Sequence, residues 1–244
     1  MTAMRKLIWI TGLWLVGIGQ AFAFDLNAPE TLKYNVSWGP IRVGSAQLEY
    51  QPAAQGAYTL TAAVKDDSSL IDLNDTWQSL GSHKAGQPFM PAIYSVKQAE
   101  NSYRADKTMT FDTKSGMVSY LNRIDLGDAV QPFAFEGARD ALATAYAWRM
   151  GGLPEVQKAA QVSIVTIKKL VVLQREAGVR ETLALNGKDI PVWRVRMTTV
   201  KDGKTAKDSW TVYLSDDANL TPVQIVASTK FGTFRATLLN HGRD

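Results

Sequence analysis

Histidine and cysteine, the residues that most often bind transition metals or act as nucleophile and base, are nearly absent from this sequence of 244 residues. It contains no cysteine, which excludes disulfide frameworks, thiolate zinc sites, cysteine nucleophiles and iron–sulfur clusters. The two histidines are His83, in a Gly-Ser-His-Lys stretch, and His241, close to the C-terminus. Neither has a second histidine at i+4 or a carboxylate at ligand spacing, so we expect no metal site. Both are predicted to be exposed loop residues.

No motif for a nucleophile or a cofactor is present. Sequence order does not exclude a Ser-His-Asp triad, because its three members occur in any order along a chain. The sequence contains no Gly-x-Ser-x-Gly nucleophile elbow, however. Neither a glycine-rich phosphate loop nor a dinucleotide fingerprint occurs. We therefore expect no catalytic residue and no cofactor.

Two pairs of adjacent acids, Asp66-Asp67 and Asp216-Asp217, each follow a predicted strand and precede a loop. Glycosidases place two carboxyls roughly 5–9.5 Å apart across a sugar, so a glycan hydrolase using Asp67 and Asp217 is one hypothesis. Adjacent residues of a strand face opposite sides, however, and aspartate is favoured in turns because its side chain caps its own backbone. The turn interpretation is preferred.

Aromatic residues are the stronger signal. Trp38, Trp77, Tyr94 and Trp210 each lie in a predicted strand, and aromatic side chains that line a cleft bind lipid chains or stack on sugar rings. The alternative is that they fill the core between a sheet and a helix. We predict that these four residues line a ligand groove.

The elements that must position these residues are mostly strands. Leu32, Tyr34, Val36 and Trp38 alternate with polar residues, which is typical of a strand with one buried face. Gly44 is predicted to allow a bulge or a close crossing in the next strand. Similar runs continue to Arg123 and resume as Val162–Val172, Arg180–Leu185, Val192–Val200, Ser209–Leu214, Thr221–Ser228 and Thr233–Leu239. Their short spacing predicts an antiparallel meander.

One segment breaks this pattern. Residues 137–150 (GARDALATAYAWRM) are rich in alanine, and Gly151-Gly152 and Pro154 are expected to end the helix. Helical spacing predicts that Ala138, Ala141, Leu142, Ala145 and Trp148 form the face that packs on the sheet.

The N-terminus has the three parts of a secretory signal peptide. Arg5 and Lys6 precede an uncharged apolar run, Leu7 to Ile18, and Ala21-Phe22-Ala23 is a small-x-small cleavage site. The run is shorter than the roughly 20 residues that span a bilayer. We expect cleavage after Ala23, a periplasmic location, and one β-rich domain over residues 24–244 that does not span the membrane. Without a cysteine the protein is not a lipoprotein.

The full chain has 27 basic and 23 acidic residues. Cleavage of the signal peptide would remove Arg5 and Lys6 and leave 25 basic and 23 acidic residues. A net charge this small, without an evident basic patch in the sequence, argues against nucleic acid as a partner.

Several segments together resemble one family. Residues 32–48 (LKYNVSWGPIRVGSAQL) resemble the opening strand pair of the exported domain of unknown function 3108, and residues 139–146 (RDALATAY) are similar to its central helix. The segment Trp210–Asp217, followed by Thr221-Pro222-Val223, resembles its C-terminal signature. The resemblance covers essentially all of residues 24–244.

The resemblance implies an exported envelope protein of Gram-negative bacteria. It also implies an open half-barrel of antiparallel strands with one central helix, like that of group-four capsule lipoproteins. Because the family has no established activity, no catalytic residue is carried over from it. The leading hypothesis is a non-enzymatic binding or carrier module for a lipid or glycan. The alternatives are a structural partner of an envelope-assembly or polysaccharide-export machine and, less favoured, the glycan hydrolase.

Overall fold

The computed structural model describes residues 24–67, 72–83, 88–201, 204–230 and 232–242, so the predicted signal peptide lies outside the described residues. The strands of the first half are β1 Glu30–Trp38, β2 Ile41–Pro52, β3 Ala57–Asp66, β4 Asn74–Ser82, β5 Met90–Glu100, β6 Tyr103–Asp112, β7 Met117–Asn122, β8 Phe133–Ala134 and β9 Arg139–Asp140. Two helices follow, α1 Ala141–Met150 and α2 Gly152–Val156. The remaining strands are β10 Ala160–Val165, β11 Leu170–Arg175, β12 Val179–Leu185, β13 Lys188–Lys201, β14 Lys204–Ser215, β15 Pro222–Thr229 and β16 Gly232–Gly242.

These strands form one large sheet that does not close. Its order is β8-β7-β6-β5-β4-β3-β2-β1-β16-β15-β14-β13-β11-β10-β9, with β12 paired to β13. Strand β1 joins the two halves of the chain, because it pairs with β2 on one side and with β16 on the other. Neighbouring strands are antiparallel except β9 and β10, which run parallel. The predicted mainly β, open half-barrel fold is confirmed.

The sheet curls so that its two ends approach each other. Val165 of β10 packs into the same apolar cluster as Val96 of β5 and Met109 of β6. A second cluster lies under α1 and joins Phe24, Tyr50 and Phe89 to Tyr146. A third packs Val156 of α2 against β11, β13 and β14. The helices therefore fill one end of the curled sheet.

The predicted helix is confirmed as Ala141–Met150, and its predicted packing face is right only in part, because Ala138, Leu142 and Trp148 belong to apolar clusters or pack against them. It begins after Asp140, whose side chain accepts a hydrogen bond from the Ala143 N–H. Ala141 and Ala145 are exposed, and the side chains that the helix buries are Ala143, Thr144, Tyr146 and Arg149. The alanine periodicity was misleading because this helix is held by aromatic, hydroxyl and charged side chains.

Two further predictions are corrected by local geometry. The run Val162–Val172 is a hairpin, β10 and β11, whose turn is closed by the Thr166 N–H donating to the Lys169 carbonyl. Pro154 does not end the helical segment but lies in the first turn of α2, where its missing N–H costs no hydrogen bond.

Gly44 lies at a close approach of two strands, as its sequence context predicts. A Cβ on Gly44 would lie 2.1 Å from the carbonyl oxygen of Lys65 on β3. The pairing of β1 with β2 shifts between Val36 and Ser37, directly beside Gly44, which leaves Val43 as an extra residue. This bulge bends β2 beside the groove described next.

Candidate functional site

An apolar groove of about 250 Å³ lies on the inner face of the curled sheet. One wall is formed by β1, β2 and β3 through Val36, Val43, Ala46 and Val64. The other is formed by β15 and β16 through Ile225, Ala227, Phe234 and Ala236. Among the residues that the structure describes, Leu73 and Asp66 are the remaining lining residues, and Asp66 is the only charged one.

Strand pairing places a row of large apolar side chains at one rim of this groove. Residues directly opposite each other in an antiparallel pair lie on the same face of the sheet. Trp38 is opposite Phe234, Phe234 is opposite Ala227, and Ala227 is opposite Trp210. The rings of Trp38 and Phe234 are stacked, with centroids 6.1 Å apart. The groove therefore opens beside two tryptophans that are far apart in the sequence.

The four predicted groove residues fall into two groups. Trp38 and Trp210 lie in this rim row, and both are partly exposed to solvent. Trp77 is half-buried on β4 and packs against the apolar cluster of β5, β6 and β10. Tyr94 belongs to that cluster and is buried. The first pair borders the groove; of the second pair, Tyr94 lies within the core and Trp77 packs against it.

A buried ion pair, which no sequence pattern indicated, holds the opposite end of the sheet. Arg149 of α1 donates from both terminal nitrogens to the Glu30 carboxylate of β1, at 2.6 and 2.9 Å. The side chains are only 5% and 7% exposed. The guanidinium also lies 4.4 Å from the ring centre of Phe24 and donates to the Asn219 carbonyl. This pair locks the helix onto the first strand.

A second buried polar cluster lies at the start of α1. The Ser79 hydroxyl donates to an Asp140 carboxylate oxygen at 2.6 Å, and Tyr58 lies 3.4 Å from the same hydroxyl. Burial raises the pKa of the Asp140 carboxyl to about 6, against hydrogen bonds from Ser79 and from backbone N–H groups that lower it. Ser79 and Asp140 are fully buried, so no substrate reaches them. The cluster is structural: it caps α1 and ties it to β4.

Replacing Asp140 with asparagine is expected to change how folding stability depends on pH. The folded-state pKa lies above the unfolded value of about 3.9, so folding favours the protonated carboxyl. The stabilisation of the folded state by the protonated Asp140 carboxyl is fully present below about pH 4 and is lost as pH rises through about 6. The expected decrease in the free energy of unfolding is about 3 kcal/mol. Asparagine caps helices as well as aspartate does and does not ionise. Urea unfolding from pH 4 to 7 should show that the free energy of unfolding of the variant increases relative to that of the wild type as pH rises.

Asp112 supplies the control for this measurement. Hydrogen bonds from the Ser115 hydroxyl and the Lys114 N–H lower the pKa of this exposed carboxyl. Asp112→Asn should therefore lose stability relative to the wild type only as pH rises through the acid range up to about 4, and from pH 5 to 7 the difference between this variant and the wild type should stay nearly constant. A constant difference between Asp140→Asn and the wild type over this range would contradict the assignment.

Asp67 and Asp217 lie too far apart to act as the carboxyl pair of a glycosidase. Asp67 pairs with Arg42 beside Val43, whereas Asp217 accepts from the N–H of Asn219 near Glu30. The intervening part of β1, from Glu30 to Val36, spans roughly 20 Å, well beyond the separation that a glycosidase requires.

The predicted exposure of His83 is wrong. Its ring is half-buried, 5.3 Å from that of Phe89 and with Nε2 3.4 Å from the Tyr50 hydroxyl. The side chain of His241 lies outside the described residues. In the part of the chain that the structure describes, no three His, Asp or Glu residues gather to hold a metal ion. Nor does a helix within these ranges have both the length and the apolar character needed to cross a membrane.

The curled sheet, the helices at one end and the groove at the other define an open, β-barrel-like protein. The chain belongs to the family described as protein of unknown function (DUF3108), whose model matches residues 33–239. No curated protein matches its sequence. Among solved structures, it is similar to a beta-barrel-like protein of domain of unknown function DUF1849 from Brucella abortus, with a TM-score of 0.60 at 12% identity. That similarity covers 87% of this chain and 96% of the other and concerns the fold alone.

Proposed function

We propose that this protein is a non-enzymatic binding or carrier module that holds an apolar segment of an envelope lipid in its groove. The observation that carries the proposal is the groove itself, since nine of its ten described lining residues are apolar and it opens beside Trp38 and Phe234. Burial of a hydrocarbon chain in such a groove is favourable at roughly 25 cal/mol per Å² of apolar surface.

The lining favours a lipid over a glycan. A sugar ring carries hydroxyl groups that need hydrogen-bond partners when they leave water. Of the lining residues that the structure describes, only Asp66 has a side chain with a polar group. Its volume of about 250 Å³ lies just below the roughly 300 Å³ at which pockets for drug-sized ligands begin, which suits a narrow acyl segment.

The location we propose is the periplasm, after cleavage behind Ala23. The sequence pattern of the first 23 residues supports it. Cleavage there would leave Phe24 as the first residue of the exported chain. Phe24 is buried against Tyr50 and Tyr146, which makes it part of the core.

A titration with a fluorescent fatty acid tests this function. The chain from Phe24 onward, which contains every strand and helix described above, should bind the probe saturably. Unlabelled fatty acid or phospholipid should displace the probe, and a soluble oligosaccharide should not. Absence of saturable binding, or displacement by the oligosaccharide, would overturn the proposal and leave the protein-partner alternative.

A further inference from the structure

A second cavity, of about 460 Å³, lies at the end of the curled sheet that the helices fill. Residues 150–154, at the turn from α1 into α2, form one wall. Trp193 of β13 and residues 216–218, which follow β14, form the other wall. This volume lies within the roughly 300–1,000 Å³ of pockets that bind small molecules. The described lining residues of this cavity and of the apolar groove have no member in common, so the two are separate sites.

Trp193 contributes an oriented aromatic surface to this cavity. Its indole N–H donates to the Asp216 carboxylate at 2.6 Å, which fixes the direction of the ring. The backbone of Gly178 lies beside the six-membered ring, because a Cβ on Gly178 would lie 3.5 Å from the Trp193 Cε3 atom. The Trp193 side chain is only half-buried, so part of the indole remains open at the cavity wall.

Hydrogen-bonding groups lie on both sides of this aromatic surface. Arg180 on β12 is directly opposite Trp193, and its Nε donates to Asp216 at 2.7 Å. The Arg180 side chain is 66% exposed, and a guanidinium has five N–H donors, so donors remain for a ligand. Asp217 is exposed and accepts from the Asn219 N–H, whereas a carboxylate has about four acceptor sites. The cavity therefore combines an aromatic surface with spare donors and acceptors.

The loop that carries the two aspartates is held in place by backbone hydrogen bonds. The Ser215 N–H donates to the Thr221 carbonyl at 2.8 Å, which closes the loop at its base. The Asp216 N–H donates to the Pro191 carbonyl at 3.2 Å, which ties the loop to β13. A cavity whose walls are already ordered loses little conformational entropy when a ligand binds.

This combination fits a sugar ring better than a hydrocarbon chain. The C–H face of a sugar ring packs on an aromatic ring, and its hydroxyl groups need hydrogen-bond partners when they leave water. Trp193 would supply the apolar surface, and Arg180 and Asp217 would supply the donors and acceptors. Two aspartates line the cavity and one arginine lies beside it, so a negatively charged sugar is disfavoured.

We propose that this cavity, formed by residues 150–154, Trp193 and residues 216–218, binds a neutral sugar unit of a glycan chain. The inference goes beyond the lipid groove and does not depend on it. A small organic cation could also lie against an indole beside carboxylates, and the experiment separates that ligand from a sugar.

The test is calorimetric titration of the chain from Phe24 onward with three neutral trisaccharides, namely cellotriose, maltotriose and triacetylchitotriose. We expect saturable binding of at least one of them, and at least tenfold weaker binding of the acidic trigalacturonic acid. Ala218→Phe places a ring in the cavity from an exposed loop position and should weaken binding at least tenfold. The matched control is Ala129→Phe, in the exposed loop after β7, which should bind as the wild type does.

Trp193→Leu should also weaken sugar binding at least tenfold, because it removes the aromatic surface. Trp193 packs against the apolar cluster that includes Val156 of α2, so urea unfolding must accompany this variant. Ala218→Phe keeps the test independent of that cluster.

No saturable binding of any neutral trisaccharide, tighter binding of choline than of every trisaccharide, or equal sugar binding by Ala218→Phe and the wild type would overturn the proposal. The fluorescent fatty acid, titrated into the same proteins, reports on the groove separately. If the probe binds and no sugar does, the sugar site fails and the carrier function stands. If a sugar binds and the probe does not, the carrier function fails and the sugar site stands.

Discussion

Replacing Glu30 with alanine is expected to lower the free energy of unfolding by about 3–5 kcal/mol, the largest loss that we expect from a single side chain here. The change leaves the Arg149 guanidinium buried, with only the Asn219 carbonyl and the rings of Phe24 and Tyr146 beside it. An uncompensated buried charge costs far more than an exposed one, because water no longer solvates it. Urea unfolding monitored by tryptophan fluorescence measures the loss.

A partly exposed ion pair provides the comparison. Glu181 and Arg194 pair at 2.8 Å on β12 and β13, with side chains about one-third exposed. Glu181→Ala should cost at most about 1 kcal/mol. The double variant Glu30→Leu with Arg149→Met should be more stable than either single replacement, because it removes both charges. Equal losses in Glu30→Ala and Glu181→Ala would show that the buried pair does not lock α1 onto β1.

Replacing Ala46 with phenylalanine is expected to weaken fatty-acid binding at least tenfold while the fold is kept. Ala46 lines the groove between Tyr34 of β1 and Val64 of β3, so a larger side chain fills space that an acyl chain would occupy. The added ring enters an existing groove at the edge of the apolar cluster that contains Leu32 and Tyr34, so we expect the fold to be kept with a stability loss of at most about 3 kcal/mol. Probe titration and urea unfolding of the same preparation measure the two effects.

Ala63 is the matched control. It lies on β3 next to Val64 but on the opposite face, where it pairs with Gln47. Ala63→Phe adds the same ring outside the groove and should leave probe affinity unchanged. If both variants bind the probe like the wild type, the groove is not the binding site.

Local sequence patterns predicted the elements well where burial alternates cleanly. The alternation of Leu32, Tyr34, Val36 and Trp38 gave β1, and Gly44 marked the adjacent bulge. The pattern failed at Val162–Val172, because both arms of the β10–β11 hairpin are apolar and the intervening turn contains neither glycine nor proline. A continuous apolar run therefore concealed a reversal of the chain.

The site depends on contacts between distant residues that no local pattern encodes. Trp38 and Trp210 border the same groove only because β1 pairs with β16, and β14 and β15 follow in the sheet. Glu30 and Arg149 are 119 residues apart, and their isolated charges look like ordinary surface residues. Their aromatic side chains identified Trp38, Trp77, Tyr94 and Trp210 as candidates. Only the order of the strands shows that Trp38 and Trp210 lie at the rim, whereas Trp77 and Tyr94 belong to the core or pack against it.

Native mass spectrometry of the protein isolated from its own cells tests the carrier function most directly. We expect a population with one bound lipid, released as an identifiable phospholipid or fatty acid on gentle activation. The Ala46→Phe variant, isolated in the same way, should lack that mass, and Ala63→Phe should retain it. Protein that is consistently empty, or a lipid equally abundant on Ala46→Phe, would contradict the assignment of the groove as a lipid-binding site.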